Sequence, residues 1–247
     1  MKSALKTALR RAGAYEHLSS RWIWLSPRVT RAIRAISGKN QRLAGRYFAD
    51  YASPKLHIGC GGNDLPGWLN TELDPKRDQI YLDATKPFPF PSDTFDYIYS
   101  EHMIEHVPWS GARVMLGECF RVLKPNAAIR LVTPNLGLLT RLLAERRTEL
   151  EEAYLEYSVR EYRLPASRSR AVHVVNNFVR AWGHQFIYDS ASLHELVAEA
   201  GFVDLVTPAL MSSTHPELCN LAISERMPTG FLDLESIVVE ARKPART

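Results

Sequence analysis

Cysteine is scarce in this chain of 247 residues: there are three, Cys60, Cys119 and Cys219, far apart and odd in number. No C-x-x-C occurs, so neither a disulfide framework nor a cysteine zinc site is indicated. A reducing cytoplasm is the expected compartment. Long apolar runs are missing too. None approaches the roughly 18 residues that cross a bilayer, and the opening MKSALKTALRRAGAYEHL lacks the apolar stretch of a secretory signal. There are no internal repeats and no low-complexity tracts, which argues against a solenoid.

Acid is scarce at one end. Residues 1–55 hold twelve Lys and Arg against two acids, Glu16 and Asp50, whereas the remainder holds 19 basic and 25 acidic residues. A basic arm therefore precedes an acidic body. The expected division is an arm over 1–54 and one domain over 55–247. In the arm, Leu5, Ala8, Leu9 and Ala12 share a helix face with Lys2, Lys6, Arg10 and Arg11 around it. A cluster at 21–25 (RWIWL) is followed by Arg28, Arg31 and Arg34. Such a segment suits a helical lid docked on the domain or on a second subunit. It also suits an anionic membrane surface or, less well, nucleic-acid phosphates.

What is present in the body is alternation. Strands are expected at Lys55–Gly59, Trp68–Leu73, Asp78–Leu82, Phe95–Ser100, Ala127–Thr133, Phe202–Leu210 and Ile237–Arg242. Helices are expected at Gly111–Leu123, across most of Asn135–Arg163, and from a Ser190 cap through Ala200, with 164–189 irregular. Alternation of this kind predicts an α/β fold with a mostly parallel sheet covered on both faces.

Ligands of such sheets bind beyond the carboxyl ends of the strands. Three signals fall there in order. Gly59-Cys60-Gly61-Gly62 ends the first strand, where glycines admit positive φ and close approach of a ligand. Glu72 and Asp74 end the second, where an acid can accept from two ribose hydroxyls. Asp83-Ala84 follows the third, within reach of an adenine amino group.

The stretches LHIGCGG, NTELD, YLDATKPFPFPSDTFDYIYSEHMIEHV, ECFRVLKPNAAIRLVTPN and LVAEAGF resemble the class I S-adenosylmethionine-dependent methyltransferases, type 11-like, and within them a bacterial glycan-tailoring branch. The resemblance spans about residues 55–243. It implies a Rossmann-like seven-stranded sheet with the last strand antiparallel. By family position, Gly59, Cys60 and Gly61 face the methionine and ribose of S-adenosyl-L-methionine, Glu72 and Leu73 the ribose, Asp83 and Ala84 the adenine, and Ser100 and Glu101, with His102, the region of the sulfonium. Two departures stand out. Nine residues separate Ile58 from Trp68, too few for the usual crossover of at least about 10–12 residues. Asn126 follows Lys124-Pro125 where the family usually has glycine, a substitution that Asn tolerates in left-handed geometry.

One motif points elsewhere. His102-Met103-Ile104-Glu105-His106 reads H-x-x-E-H, the inverted zinc-peptidase signature, yet it follows a strand at the cofactor edge. There it reads more simply as a strand-to-helix turn. It also resembles the E-x-x-E-H of metal-dependent methyltransferases acting on the 3′-terminal ribose of small RNAs, with His102 replacing the first glutamate and Thr133-Pro134-Asn135 and His184-Gln185-Phe186 further on. Three imidazoles and a carboxylate suit Mn, Fe, Co or Zn better than Mg. A divalent metal is thus an expectation of second rank.

A hydroxyl acceptor needs to lose its proton, and histidine can take it near neutral pH. The candidate catalytic residues are His102, Glu105, His106 and His184. His173 is a weaker candidate, and His194 reads as a surface helical residue. Residues 141–189 follow the fifth strand and form the expected acceptor cover. They offer Tyr154, Tyr157, Tyr162, Trp182, Asn176 and Asn177, with Arg160, Arg163, Arg168 and Arg170, which suit a sugar ring or a nucleotide. The expected activity is O-methyl transfer to a hydroxyl of a sugar or glycan precursor. The alternatives are RNA ribose 2′-O-methylation and cofactor binding without catalysis. A homo-oligomer and contact with a membrane surface are further expectations.

Overall fold

A computed structural model describes residues 34, 36–76, 78–168, 170–222 and 227–246. The residues that carry most of the basic arm, 1–33, lie outside these. The chain runs α1 (Lys39–Asp50), β1 (Lys55–Ile58), β2 (Leu69–Glu72), β3 (Ile80–Tyr81), β4 (Phe95–Glu101), a 3-10 turn (Ile104–His106), α2 (Trp109–Val122) and β5 (Leu123–Pro134). It continues α3 (Leu136–Leu142), α4 (Glu149–Glu161), α5 (Arg170–Arg180), α6 (Ser190–Glu199), β6 (Val203–Val206), a second 3-10 turn (Pro216–Leu218), α7 (Phe231–Glu235) and β7 (Ser236–Arg242).

The strands form one seven-stranded sheet in the order β3-β2-β1-β4-β5-β7-β6. Neighbours from β3 to β5 are parallel, and β7 runs antiparallel to both β5 and β6. This is the mostly parallel sheet expected from the alternation, in the Rossmann-like seven-stranded form with an antiparallel last strand that the family resemblance implies. The order in which the chain adds strands reverses at β1: β2 lies on one side of it and β4 on the other. The carboxyl ends of β1 and β4 therefore border the crevice where ligands of open α/β sheets bind.

Successive residues of the central strands serve opposite faces, as the pleat requires. Ile98, Ile129, Leu131, Val239 and Ala241 join one core, together with Met115, Leu116 and Cys119 of α2 and Leu193, Leu196 and Val197 of α6. Tyr99, Ala128, Val132 and Val238 join the other. The two faces are sealed differently. Helices α1, α2 and α6 pack on the first. On the second, the partners are Trp68, Leu210, Leu218, Ala222 and Leu232, from connecting segments, the second 3-10 turn and α7. The short β1–β2 connection accounts for this: the described residues between Ile58 and Leu69 form turns and no helix.

A buried ion pair holds the substitute cover in place. Arg130, 1% exposed on β5, pairs with Glu240 on β7. Its guanidinium also donates to the carbonyls of Ser212 (2.8 Å), Ala209 (3.2 Å) and Leu210. Glu240 accepts in turn from Ser213 Oγ at 2.9 Å. At the other edge, α1 docks through Tyr47, whose hydroxyl accepts from Lys55 N at 2.7 Å and lies 3.0 Å from the Lys55 carbonyl. The Asn40 side chain accepts from Tyr81 N (3.2 Å) and donates to Tyr81 O (3.1 Å), so it completes the open edge of β3.

Several sequence expectations need correction. Residues 164–189 are not all irregular, because α5 lies within them and buries Val174 and Phe178. The helix expected over Asn135–Arg163 is two helices. The second is started by a capping box, in which Thr148 Oγ1 accepts from Glu151 N and the Glu151 carboxylate accepts from Thr148 N. Asp189, not Ser190, caps α6, accepting from Ser192 N at 2.8 Å. The strand expected at Phe202–Leu210 is confined to Val203–Val206, and Pro208 follows. Helix α2 meets β5 without a loop, and Asn126 takes the left-handed φ of 65° that its position requires.

Candidate functional site

Two groups of residues meet at the carboxyl edge of the sheet. The first surrounds the loop after β1. Gly59 (φ 67°) and Gly61 (φ 54°) both occupy left-handed backbone. A Cβ built on Gly61 would have no neighbour within 4 Å, so this glycine faces open space. Glu72 closes the loop from the end of β2, accepting from Gly61 N at 2.8 Å and from Leu73 N at 2.7 Å. Each carboxylate oxygen accepts one bond there and keeps further acceptor capacity. Asp83 Oδ1 accepts from Thr85 N (3.0 Å) and Thr85 Oγ1 (2.7 Å), which fixes the turn after β3, and Ala84 is buried behind it. Ser100 donates to the Ile58 carbonyl at 3.1 Å and ties β4 to β1 beneath the loop. Glu101, half-buried, ends β4. Burial pushes the Cys60 thiol up to about 12, so it stays protonated and unreactive.

The second group starts at the next residue. His102 has a φ of 47°, an unusual conformation for a non-glycine residue and one that clusters at functional sites. It turns the chain into the 3-10 turn that carries Glu105 and His106. Glu105 is fully buried. Its Oε2 accepts from Thr133 Oγ1 at 3.0 Å. Its Oε1 has no hydrogen bond of good geometry, and the imidazole nitrogens His102 Nδ1 and His106 Nε2 lie 3.4 and 3.9 Å away. Burial alone would raise the Glu105 pKa, but His102, and after it His106, outweigh burial and hold it below the ordinary glutamate value.

His184 arrives from the cover. Trp182 (φ 55°) and Gly183 (φ 83°) reverse the chain after α5. The returning strand is clamped to the 3-10 turn: Gln185 N (2.7 Å) and Phe186 N (3.2 Å) donate to the Glu105 carbonyl, and Gln185 Nε2 donates to the His106 carbonyl at 2.7 Å. The rings of His106 and His184 sit 4.8 Å apart, nearly perpendicular. His184 Nδ1 lies 2.5 Å from the Phe178 carbonyl, which places the ring proton on Nδ1 and leaves Nε2 with its lone pair. Burial lowers the His184 pKa, against the opposing pull of that bond and of Glu105, so the ring is neutral at pH 7.

These side chains floor a cleft of about 350 Å³. Its walls are Tyr157, Tyr162, Phe178 and Trp182, with Pro134, Met227, Glu161 and Glu235. The rings meet edge to face, Tyr162 on Trp182 at 4.9 Å and Phe178 on Trp182 at 5.4 Å. Among the described residues that line it there is no Lys or Arg.

The structure thus gathers His102, Glu105, His106 and His184 at one point, next to the glycine loop. His173 on α5 and His194 on α6 do not line the cleft, and His194 is bonded to the Ser190 carbonyl at 2.7 Å. Of the cover residues, Tyr157, Tyr162 and Trp182 reach it. Tyr154 instead donates to Glu235 at 2.6 Å behind the wall, Arg170 pairs with Glu152, and Asn176 turns back to Val172 O. Sequence reasoning names Thr133 and Met103 only as members of their motifs, and misses that Thr133 holds the buried carboxylate and that Met103 packs on Gly59. No spacing rule links Thr133 to Glu105, 28 residues away.

The model of a family described as a methyltransferase domain matches residues 31–206, more than two thirds of the chain. The chain belongs to the methyltransferase domain family. No curated protein sequence matches it. Among solved structures, it is similar to a SAM-dependent methyltransferase from Archaeoglobus fulgidus at 15% identity, covering 83% of this chain and 92% of that one, with a TM-score of 0.44. It is similar to an S-adenosylmethionine-dependent methyltransferase from Mesorhizobium loti at 16% identity, covering 80% and 96%, with a TM-score of 0.43. A third is Haemonchus contortus phosphoethanolamine N-methyltransferase 2 in complex with S-adenosyl-L-methionine, at 13% identity, covering 84% and 52%, with a TM-score of 0.39. No described helix is long and apolar enough to cross a membrane.

Proposed function

We propose that this methyltransferase takes its methyl group from S-adenosylmethionine and delivers it to a hydroxyl of a sugar or glycan precursor seated in the aromatic cleft. When bound beside the loop after β1, the cofactor supplies a methyl already activated on a sulfonium sulfur. The residues on the loop side fit such a group: Gly61 leaves open space, and Glu72 presents both carboxylate oxygens at the end of β2. With the donor activated, the protein has to hold and orient the acceptor and exclude water. Tyr157, Tyr162 and Trp182 offer ring surfaces for the apolar face of a sugar. His106 and His184 offer nitrogens able to draw the proton from its hydroxyl.

The observation that carries this reading is the histidine pair. His184 Nε2, free of its own proton, and His106 both face the aromatic cleft, just past the end of β4. Among the described residues that line the cleft there is no Lys or Arg, and Glu161 and Glu235 stand in its wall, which favours an acceptor without phosphates over the phosphate-rich strand that RNA ribose methylation requires. Residues 1–54 are assigned, on their charge, to covering the domain or holding it at an anionic membrane surface, in a cytoplasmic setting.

The test is incubation with methyl-labelled S-adenosylmethionine and either a panel of neutral sugars or fractionated cell extract. Label on a sugar hydroxyl supports the reading. Label on RNA alone selects the ribose alternative, and tight cofactor binding with no labelled product in any fraction selects a non-catalytic binder.

A further inference from the structure

Among the described residues, Glu105 Oε1 is a buried polar atom without a hydrogen-bond partner, and so is Nε2 of the neighbouring His102. An unpartnered carboxylate oxygen on a fully buried residue costs free energy unless something satisfies it. Two imidazole nitrogens stand close to this oxygen. His102 Nδ1 and His106 Nε2 lie 3.4 and 3.9 Å from it. One donor atom each from Glu105, His106 and His184 fall within 4.8 Å of one another. A divalent first-row ion with bonds of about 2.1 Å at tetrahedral angles holds its donor atoms about 3.4 Å apart. The three groups need only small side-chain rotations to reach that spacing.

The surroundings are those of a ligand set. Metal-bound histidines usually give their second ring N–H to a carbonyl, and His184 Nδ1 does so to Phe178 O. Ligating carboxylates are usually held by a second hydrogen bond, and Thr133 Oγ1 supplies one to Oε2, leaving Oε1 for the ion. The backbone bonds from Gln185 and Phe186 to the Glu105 carbonyl fix the two halves of the set against each other, although they lie about eighty positions apart in sequence.

We propose that Glu105 Oε1, His106 and His184 Nε2 form a site for one divalent transition-metal ion. Its open coordination position faces the aromatic cleft, and His102 is a positioning residue against the same carboxylate. Three protein ligands with one open position is the pattern of catalytic rather than structural sites. Two imidazoles and one carboxylate select Zn, Mn, Fe or Co over Mg and Ca. The inference rests on the reading of a hydroxyl acceptor. An acceptor oxygen at the open position gives up its proton to solvent more readily and keeps its electron pair. The imidazole lone pairs then serve the ion rather than the proton.

The full chain, stripped with chelator and shown by circular dichroism to stay folded, is titrated with Co(II), Zn(II), Mn(II) and Mg(II). Calorimetry reads stoichiometry, and the visible d–d absorption of Co(II) reads geometry. The expected result is one saturable Co(II) or Zn(II) site per chain, with Mg(II) at least tenfold weaker. His106→Gln should lower Co(II) affinity at least tenfold, and Thr133→Val about tenfold, the usual cost of an outer-sphere partner. His106 is partly exposed, so its variant is a fair folding control. Absence of saturable Co(II) and Zn(II) binding overturns the site, as does binding that His106→Gln and His184→Gln both leave unchanged. S-adenosylmethionine binding is measured on the same samples. Cofactor binding without metal binding removes the site and spares the methyltransferase reading, whereas metal binding without cofactor binding does the reverse.

Discussion

Met103 lies flat against the backbone of Gly59. A Cβ added to Gly59 would stand 2.2 Å from Met103 Cγ and 2.8 Å from Met103 Cβ. The loop after β1 and the turn after β4 are therefore in contact through a glycine that nothing larger can replace, and both belong to the site. Gly59→Ala meets two separate penalties, the clash and the left-handed φ of 67°, the latter about 1–2 kcal/mol. The double variant Gly59→Ala with Met103→Ala should recover the part of the clash due to Cγ, and retain the 2.8 Å approach of the residue 103 Cβ together with the conformational part. A urea-denaturation cycle over the four proteins checks this. Simple additivity of the two substitutions would show that the contact does not constrain the loop.

Glu72 is expected to govern cofactor affinity twice over, by accepting from the ligand and by holding Gly61 N and Leu73 N. Hydrogen bonds to charged groups are worth about 1.5–3 kcal/mol. Glu72→Ala should weaken S-adenosylmethionine at least tenfold while the fold persists. Isothermal calorimetry on the folded variant decides it, and an unchanged affinity would move the ribose contact to Asp74.

His57 makes stability depend on pH. It is buried in β1 with its Nδ1 3.0 Å from Asn70 Oδ1, and burial lowers its pKa to about 4. The folded-state pKa lies below the unfolded value of 6.5, so the unfolded chain takes the proton first. The contribution is complete above about pH 6.5, is lost as pH falls toward about 4, and amounts to about 3 kcal/mol over that window. His57→Gln should lose less stability than the wild type on going from pH 7 to pH 4.5. Urea midpoints at the two pH values check this, and parallel slopes for the two proteins would contradict it.

Arg130 and Glu240 form a pair in which one partner without the other is costly. Breaking a buried ion pair by removing one member costs about 3–5 kcal/mol. Arg130→Met should reach that range, since three carbonyls also lose their donor. Arg130→Met with Glu240→Leu should cost clearly less than the sum of the single changes, by the same measurement.

Much of this molecule is legible in its sequence, and the reasons for the rest are local. The strands are runs of β-formers between turn residues, and the place of each of the seven along the chain emerges from that pattern, although β3 and β6 are shorter than expected and β5 longer. Helix α5 does not, because Arg170, Asn176, Asn177 and Arg180 dilute a stripe made by Ala171, Val174, Val175 and Phe178. The α2–β5 junction is missed because Pro125 reads as a helix stop, whereas the helix already ends at Val122 and the strand begins at once. Four titratable residues of the cleft are recognisable by type and by their place after β4 or in the cover. Their meeting depends on the backbone clamp between Glu105 and residues 185–186, a tertiary contact with no local signature. Thr133 looks like the end of a buried strand, and only the structure reveals that its hydroxyl serves Glu105.

The position of β7 sets the recognisable part of the chain apart from the part that can stand alone. The family match stops at residue 206, the last residue of β6, yet β6 has a single neighbour in the sheet, β7, at 236–242. A fragment cut at the end of the match would leave one long side of β5 unpaired and β6 with nothing to join. It would also lose Leu210, Leu218 and Leu232 from the face holding Tyr99 and Val132, and the carboxylate that neutralises Arg130. The last forty residues are thus the keystone of the domain: a portion beyond the family match is what closes the sheet that the matched portion begins.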